Sequence, residues 1–233
     1  MLRFLESLQF VLFVFFTAAY AYQIAYLVIG LVGKGRQGKQ DAKLHRYAAI
    51  IAARNESSVI GELIQTLKQQ DYPSELLDVF VIADNCTDNT AEVARQAGAI
   101  VYERFNKVQV GKGYALDYLF HHIFEDKGEQ TYDGFFVFDA DNLVDPQFVR
   151  EMNKMYATGE YAALTSYRNS KNFCDNWISA GYALWFLREA RFLNRPRTQL
   201  GVNCAVSGPG FLVAADVIRA EGGWPFHLLT EDI

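Results

Sequence analysis

Apolar positions fall along this chain in two patterns. The first is a single long run. No residue from Ser7 to Gly33 is charged, and Leu8 to Leu31 is rich in Phe, Val, Leu, Ile, Ala and Tyr. A helix of that length exceeds the ~30 Å hydrocarbon core of a bilayer. Residues 1–33 therefore read as an N-terminal transmembrane anchor, although Tyr20, Tyr22 and Tyr26 sit in mid-segment. A signal peptide fits less well, because the run is too long and no small-residue cleavage site precedes a polar start. Lys34, Arg36, Lys39, Lys43 and Arg46 follow, against Arg3 and Glu6 before the run. The positive-inside rule then puts a basic linker, 34–46, and all that follows on the cytoplasmic side of the cell (inner/plasma) membrane.

The second pattern is an alternation of short apolar runs with amphipathic stretches over residues 47–233. Tyr47 to Ala52, Val79 to Ala83, Ile100 to Tyr102 and Phe135 to Phe138 read as strands. Between them, Val59, Ile60, Leu63, Ile64 and Leu67 form one helical face after a cap at Ser57 or Ser58. A second helix runs from Thr87 or Thr90 to Gly98, and a third from Gly111-Lys112-Gly113 to about Phe124. Asp145-Pro146 starts another helix that ends at Gly159, and Tyr161 to Ser166 is a further strand. This order predicts an α/β fold with a mostly parallel sheet and right-handed crossovers. Asn172 to Leu193 reads as a long helix that is apolar around much of its circumference, either a core helix or one lying on a membrane surface. A glycine-rich turn, Ser207 to Gly210, then enters a last strand and a short helix through Ala220.

Composition adds three constraints. The chain is 51% hydrophobic over 233 residues, enough to bury a sizeable core. A formal net charge of −5 argues against nucleic acid as a partner. Cys86, Cys174 and Cys204 are scattered, with no zinc spacing, and read as reduced packing residues. The four histidines read as structural or surface groups.

The candidate chemistry lies where the strands end. Asp139 and Asp141 follow the aromatic run Phe135-Phe136-Val137-Phe138. Alternation along a strand would turn both carboxylates one way, and two like charges held together call for a cation such as Mg2+ or Mn2+. A strand followed by an acidic turn fits the same residues. Asp84 closes the second strand, where it can also serve as a turn or cap residue. Arg54 and Glu56 close the first. If these strands are neighbours, the polar groups meet in one crevice. Lys112, between two glycines at a helix start, suits a diphosphate, though a solvated turn has the same look. The pattern is not a Walker A motif, since Tyr114 stands where Ser or Thr is required, and no dinucleotide fingerprint follows a strand. Glu231 and Asp232 come late, after an aromatic loop, where a carboxylate can act as a base or as a helix cap.

Taken in order, Ala53-Arg54-Asn55-Glu56, Asp84-Asn85-Cys86-Thr87-Asp88, Gly111-Lys112-Gly113-Tyr114-Ala115-Leu116, Asp139-Ala140-Asp141 and Thr230-Glu231-Asp232 resemble the family 2 inverting glycosyltransferases of the GT-A fold. With the anchor, the chain looks like the membrane-bound branch that includes cellulose synthase and other exopolysaccharide synthases. The resemblance implies a GT-A domain over 47–233 and a UDP-sugar donor. It also implies a saccharide or lipid-linked acceptor and a Mg2+ or Mn2+ cofactor. Asp84 would contact the uracil, Lys112 the diphosphate, Asp139 the ribose and metal, and Asp141 the metal. Ala53, Arg54, Glu56 and Glu231 would bind substrate, Ser207 and Gly208 would line the acceptor side, and Asp232 would be the base. Membrane-bound members continue into a Q-x-x-R-W motif and further transmembrane helices. A chain ending at Ile233 therefore reads as the N-terminal portion of a longer enzyme, with its GT-A domain incomplete at the C-terminus. Rival readings are a metal-dependent nucleotidyltransferase and a non-catalytic nucleotide-sugar-binding or scaffold protein.

Overall fold

The computed structural model describes residues 2–206 and 208–226. The chain divides into two compact units, Met1–Arg36 with Tyr167–Ala205, and Gln37–Ser166 with Val206–Ile233.

The first unit is helical. Helices α1 (Leu2–Tyr20) and α2 (Tyr22–Val32) are separated only by a turn at Ala21. Together they make Arg3–Val32, 30 residues long, the one helix among the described residues long and apolar enough to cross a membrane.

In the second unit, β1 (Tyr47–Ala53), α3 (Ile60–Lys68), β2 (Leu77–Asp84), α4 (Thr90–Gln96), β3 (Ile100–Arg104), α5 (Lys112–Lys127) and β4 (Gly134–Asp139) follow the predicted alternation. Next come α6 (Phe148–Tyr156) and β5 (Ala163–Thr165), shorter than the sequence suggested. In the helical unit, α7 (Trp177–Glu189) continues through one π-helical stretch, Ala190–Asn194, into α8 (Arg195–Gln199). It starts at Asn176, whose side chain caps the Ile178 and Ser179 N–H groups, and not at Asn172. Finally β6 (Phe211–Ala214) leads into α9 (Ala215–Ala220).

The sheet order is β3-β2-β1-β4-β6-β5. Strands β1 to β4 are parallel, and β6 runs antiparallel to both β4 and β5. Period-two alternation divides the strand side chains between two faces. Ala49, Ile51, Val79, Val81, Phe136 and Phe138 pack with Ile60, Leu63, Ile64 and Leu67 of α3 and Val149 of α6. Ala48, Ile50, Phe80, Ile82, Phe135 and Val137 pack with Leu116, Leu119, Phe120 and Ile123 of α5. Both faces are covered, which is why the strands read as continuous apolar runs. The chain steps outward from β1 to β3, then returns through α5 to place β4 on the other side of β1. That reversal makes the crevice between β1 and β4 a topological switch point, where open α/β sheets bind ligands.

The expected amino-terminal caps at Ser57 or Ser58 and at Thr87 or Thr90 are not formed. Val59 precedes α3 and Asn89 precedes α4, neither with a side-chain capping bond. Asp88 does that work from one residue further back, accepting from the Thr90 N–H and hydroxyl. Gln147 precedes α6, with Asp145 Oδ1 accepting from its N–H. At the amino end of the sheet, Asn153 ties several elements together. Its Oδ1 accepts from the Tyr47 hydroxyl at 2.9 Å and the Tyr72 hydroxyl at 3.2 Å, and its amide donates to the Lys43 carbonyl. Burial pushes the Tyr72 hydroxyl up to about 12.

Candidate functional site

At the carboxyl end of β1, Ala53 is buried while Arg54 and Asn55 are exposed. Asn55 takes a left-handed conformation, φ 59°. Its Oδ1 accepts from the Thr87 N–H at 2.7 Å and from the Thr87 hydroxyl at 3.3 Å. Glu56 N–H donates to Thr90 Oγ1 at 2.9 Å, and Ser57 N–H donates to Asp88. The loops after β1 and β2 are thereby locked edge to edge. Hydrogen bonds from the Thr90 hydroxyl and from Ser57 hold the exposed Asp88 carboxyl down to about 2.

Asp84 ends β2 and is 5% exposed. Its partner is Arg104 at the end of β3, also 5% exposed, with the guanidinium 2.7 Å from Asp84 Oδ1. Asn85, the second left-handed residue at φ 52°, donates its side-chain amide to Asp84 Oδ2 at 3.1 Å. Arg104 also donates to the Gln109 carbonyl at 2.8 Å and stacks over Tyr118 of α5. One buried cation thus ties Asp84 to the loop that leads to Lys112. The sequence reading stopped β3 at Tyr102 and missed this residue. The parallel register, which sets Asp84 opposite Arg104, is what makes it visible.

Lys112 is the first residue of α5. Gly111 before it has φ 141°, a conformation in which a side chain would be strained. The Lys112 ammonium reaches Asp139 Oδ1 at 2.8 Å, so helix start and strand end meet at the switch point. Strand β4 stops at Asp139, so alternation does not set the direction of Asp141, contrary to the expectation. A turn does: Asn142 N–H donates to the Asp139 carbonyl, while Asn142 Oδ1 accepts from the Asp139 N–H at 3.0 Å. Asp141 is exposed in that turn and accepts from the Asn142 amide.

Among the described residues, no three or more His, Cys, Asp or Glu side chains gather as a metal cluster. The Asp139 carboxylate beside the Lys112 ammonium, with Asp141 two residues on in the turn, suits a cation that arrives already bound to phosphate oxygens, as Mg2+ or Mn2+ does, and does not suit a closed structural site. Gly208, φ 67°, lies in the turn before β6. Because β6 is antiparallel to β4, that turn comes to the same end of the sheet, where Gly210 N–H donates to the Val137 carbonyl. Trp224 N–H donates to Asp117 Oδ1 of α5 at 3.0 Å, so the segment approaching Thr230 is fastened one and a half turns from Lys112. Ser207, Glu231 and Asp232 lie outside the described residues.

The sequence profile of the glycosyltransferase-like family 2 matches residues 45–233. The chain belongs to this family. Over 193 residues it is 28% identical to the beta-monoglucosyldiacylglycerol synthase of a Synechocystis species, covering 79% of this chain and 38% of that protein. It is 22% identical over 215 residues to the probable glycosyltransferase YdaM of Bacillus subtilis, covering 82% of this chain and 45% of that protein. The chain therefore spans less than half the length of these curated relatives. Among solved structures, the mannosyltransferase PcManGT of Pyrobaculum calidifontis, in complex with GDP-Man and Mn2+, superposes with a TM-score of 0.66 at 19% identity, over 93% of this chain and 58% of that one. TarS of Staphylococcus aureus in complex with UDP superposes with a TM-score of 0.56 at 12% identity, over 80% of this chain and 53% of that one. These likenesses bear out the expected GT-A fold and family 2 membership.

Proposed function

We propose that this chain is the donor-binding part of a membrane-anchored, metal-assisted, inverting hexosyltransferase, which moves a sugar from a UDP-sugar to a lipid or lipid-linked acceptor. The meeting of Lys112 with Asp139 at the switch point carries the reading, with the Asp84–Arg104 pair beside it. A lipid acceptor is favoured over a growing polysaccharide by the relatives named as glucosyldiacylglycerol synthases and, over shorter stretches, as 4,4'-diaponeurosporenoate glycosyltransferases. The apolar helix Arg3–Val32 supports an anchor, and the basic linker after it supports a cytoplasmic domain at the inner or plasma membrane.

In this reading Asp84, held by Arg104 and Asn85, faces the uracil. Ala53, Arg54 and Glu56 border it on the β1 loop. Lys112 exchanges its bond to Asp139 for one to the donor diphosphate, where it stabilises negative charge on the leaving group. Asp139 and Asp141 would hold the Mg2+ or Mn2+, which neutralises diphosphate charge when bound. Glu231 borders the donor, while Ser207 and Gly208 line the acceptor side. Asp232, matching the family's base, takes the proton of the acceptor hydroxyl as that oxygen attacks the anomeric carbon. The bond to the diphosphate breaks and UDP leaves with the electron pair. A single displacement turns an α-linked donor into a β-linked product.

Radiolabelled UDP-glucose, UDP-N-acetylglucosamine and GDP-mannose, offered with diacylglycerol to membranes holding the protein, test this. A UDP-sugar should give a labelled lipid that a β-glycosidase cleaves, with a rate lower by about 100- to 10,000-fold in Asp232→Asn. An α-linked product, or label from GDP-mannose alone, contradicts the reading.

A further inference from the structure

Helix α7 presents its apolar side chains to the outside. Ala183 is its one buried residue. Trp177 is 83% exposed, and Ile178, Tyr182, Leu184 and Trp185 are each more than half exposed. At 100° per residue these five lie within one arc of about 160°, and exposed Arg188 and Arg191 extend the same stripe toward the helix end. Nothing within the described residues buries this stripe, so the core reading has no support from them. From Trp177 to Leu187 there is no charge. Eleven residues make about 16 Å of helix, half of what a bilayer core requires.

The same unit contains the candidate membrane span, and its contacts place the segment that continues α7 near the end of that span. Helix α2 packs against the π-helical stretch and α8. A Cβ at Gly30 would lie 2.6 Å from the Phe192 ring and 2.7 Å from the Arg191 carbonyl, so only glycine permits the approach. The Arg195 guanidinium donates to the Gly33 carbonyl, and the Gln199 amide donates to the Lys34 carbonyl. Gly33 and Lys34 are where the apolar run gives way to the basic linker, which is the level of the bilayer surface. Residues 176–206 carry Arg188, Arg191, Arg195 and Arg197 against Glu189, a net charge of +3. Tryptophans, a tyrosine and basic residues at that level are the composition of an interfacial segment.

We propose that α7 lies in the headgroup–acyl boundary of an anionic bilayer, forming a second membrane contact beside the α1–α2 span. The helix thus holds the unit at the lipid surface through Trp177, Ile178, Leu184 and Trp185, with Arg188 and Arg191 toward the phosphates. The proposal rests on the anchor reading for its depth and not on the sugar-transfer reading.

Tryptophan fluorescence of the full chain reports on it directly, because Trp177 and Trp185 are two of only three tryptophans and Trp224 is buried. The protein is reconstituted in phosphatidylcholine–phosphatidylglycerol vesicles with bromine either near the headgroups or near the bilayer centre. The expected result is loss of more than half the emission with shallow bromine and less with deep bromine. The quenched share should vanish in Trp177→Phe/Trp185→Phe, and aqueous iodide should have little effect. Flotation of the same sample scores the anchor separately. Protein that floats but is not quenched by either bromolipid overturns the proposal, whether iodide reaches the tryptophans or another protein surface covers them. Stronger quenching by deep bromine overturns it too, since the helix would then be inserted.

Discussion

At the amino end of the sheet, Tyr47, Tyr72, His45 and Lys43 converge on the buried side chain of Asn153, and their hydrogen bonds are neutral and internal. At the carboxyl end of the same strands, charges do the tying. Arg104 holds Asp84 out of water, and Lys112 holds Asp139 at the rim, where both partners are part-exposed. Both left-handed asparagines, Asn55 and Asn85, also sit at this end. At the amino end the neutral bonds centre on Asn153, with the part-exposed Arg46–Asp78 pair beside them. The Lys112–Asp139 pair is different, because a charged ligand can replace either partner without leaving a buried charge behind. The sheet is thus anchored at one end and chemically available at the other.

Substitutions should separate the two ends. Arg104→Met should have the largest effect, lowering unfolding free energy by about 3–5 kcal/mol, because Asp84 is left as an unpaired buried charge. Urea unfolding measures this, and a midpoint unchanged from the parent would break the assignment of Arg104 as its partner. Asn153→Ala should cost about 2–3 kcal/mol, since the Tyr47 and Tyr72 hydroxyls lose their common acceptor, while leaving UDP affinity unchanged. Lys112→Met should do the reverse. Its unfolding midpoint should stay within error, and its affinity for UDP should fall by about 10- to 100-fold, the value of one hydrogen bond to a charged group. Loss of stability without loss of affinity would place Lys112 with the structural residues.

The smallest effect is a pH dependence. Asp88 sits near 2 when folded, below the usual carboxylate value near 4, so its hydrogen bonds stabilise the fold above about pH 4. That contribution fades as pH falls toward 2. The stability gap between the parent and Asp88→Ala should therefore be constant above pH 4.5 and close on the acid side. A gap that persists at pH 2 would mean that Asp88 acts through its packing.

Strands β1, β2 and β4 were legible because each is buried on both faces, and runs such as Val79 to Ala83 and Phe135 to Phe138 stand out as continuous apolar segments. The carboxylates and Lys112 were legible as chemistry, since polar residues at strand ends stand out against apolar runs. Their pairing was not: Lys112 and Asp139 are 27 positions apart, and only the α5 crossover joins them. Arg104 was hidden because β3 is half-buried, so its pattern faded two residues early. Helix α7 was ambiguous for a physical reason. A helix apolar around its circumference suits a protein interior and a lipid interface equally, and its exposed tryptophans are what favour the interface.

Lys112, Asp139 and Asp141 are proposed to form a metal-dependent diphosphate site. Calorimetric titration of UDP into the detergent-solubilised protein, with and without Mn2+ and beside Asp141→Asn, tests it most directly. Binding should require Mn2+ and be lost in Asp141→Asn, with circular dichroism unchanged. Binding that is indifferent to both metal and Asp141 in a folded protein would contradict it and leave the carboxylates as an acidic turn.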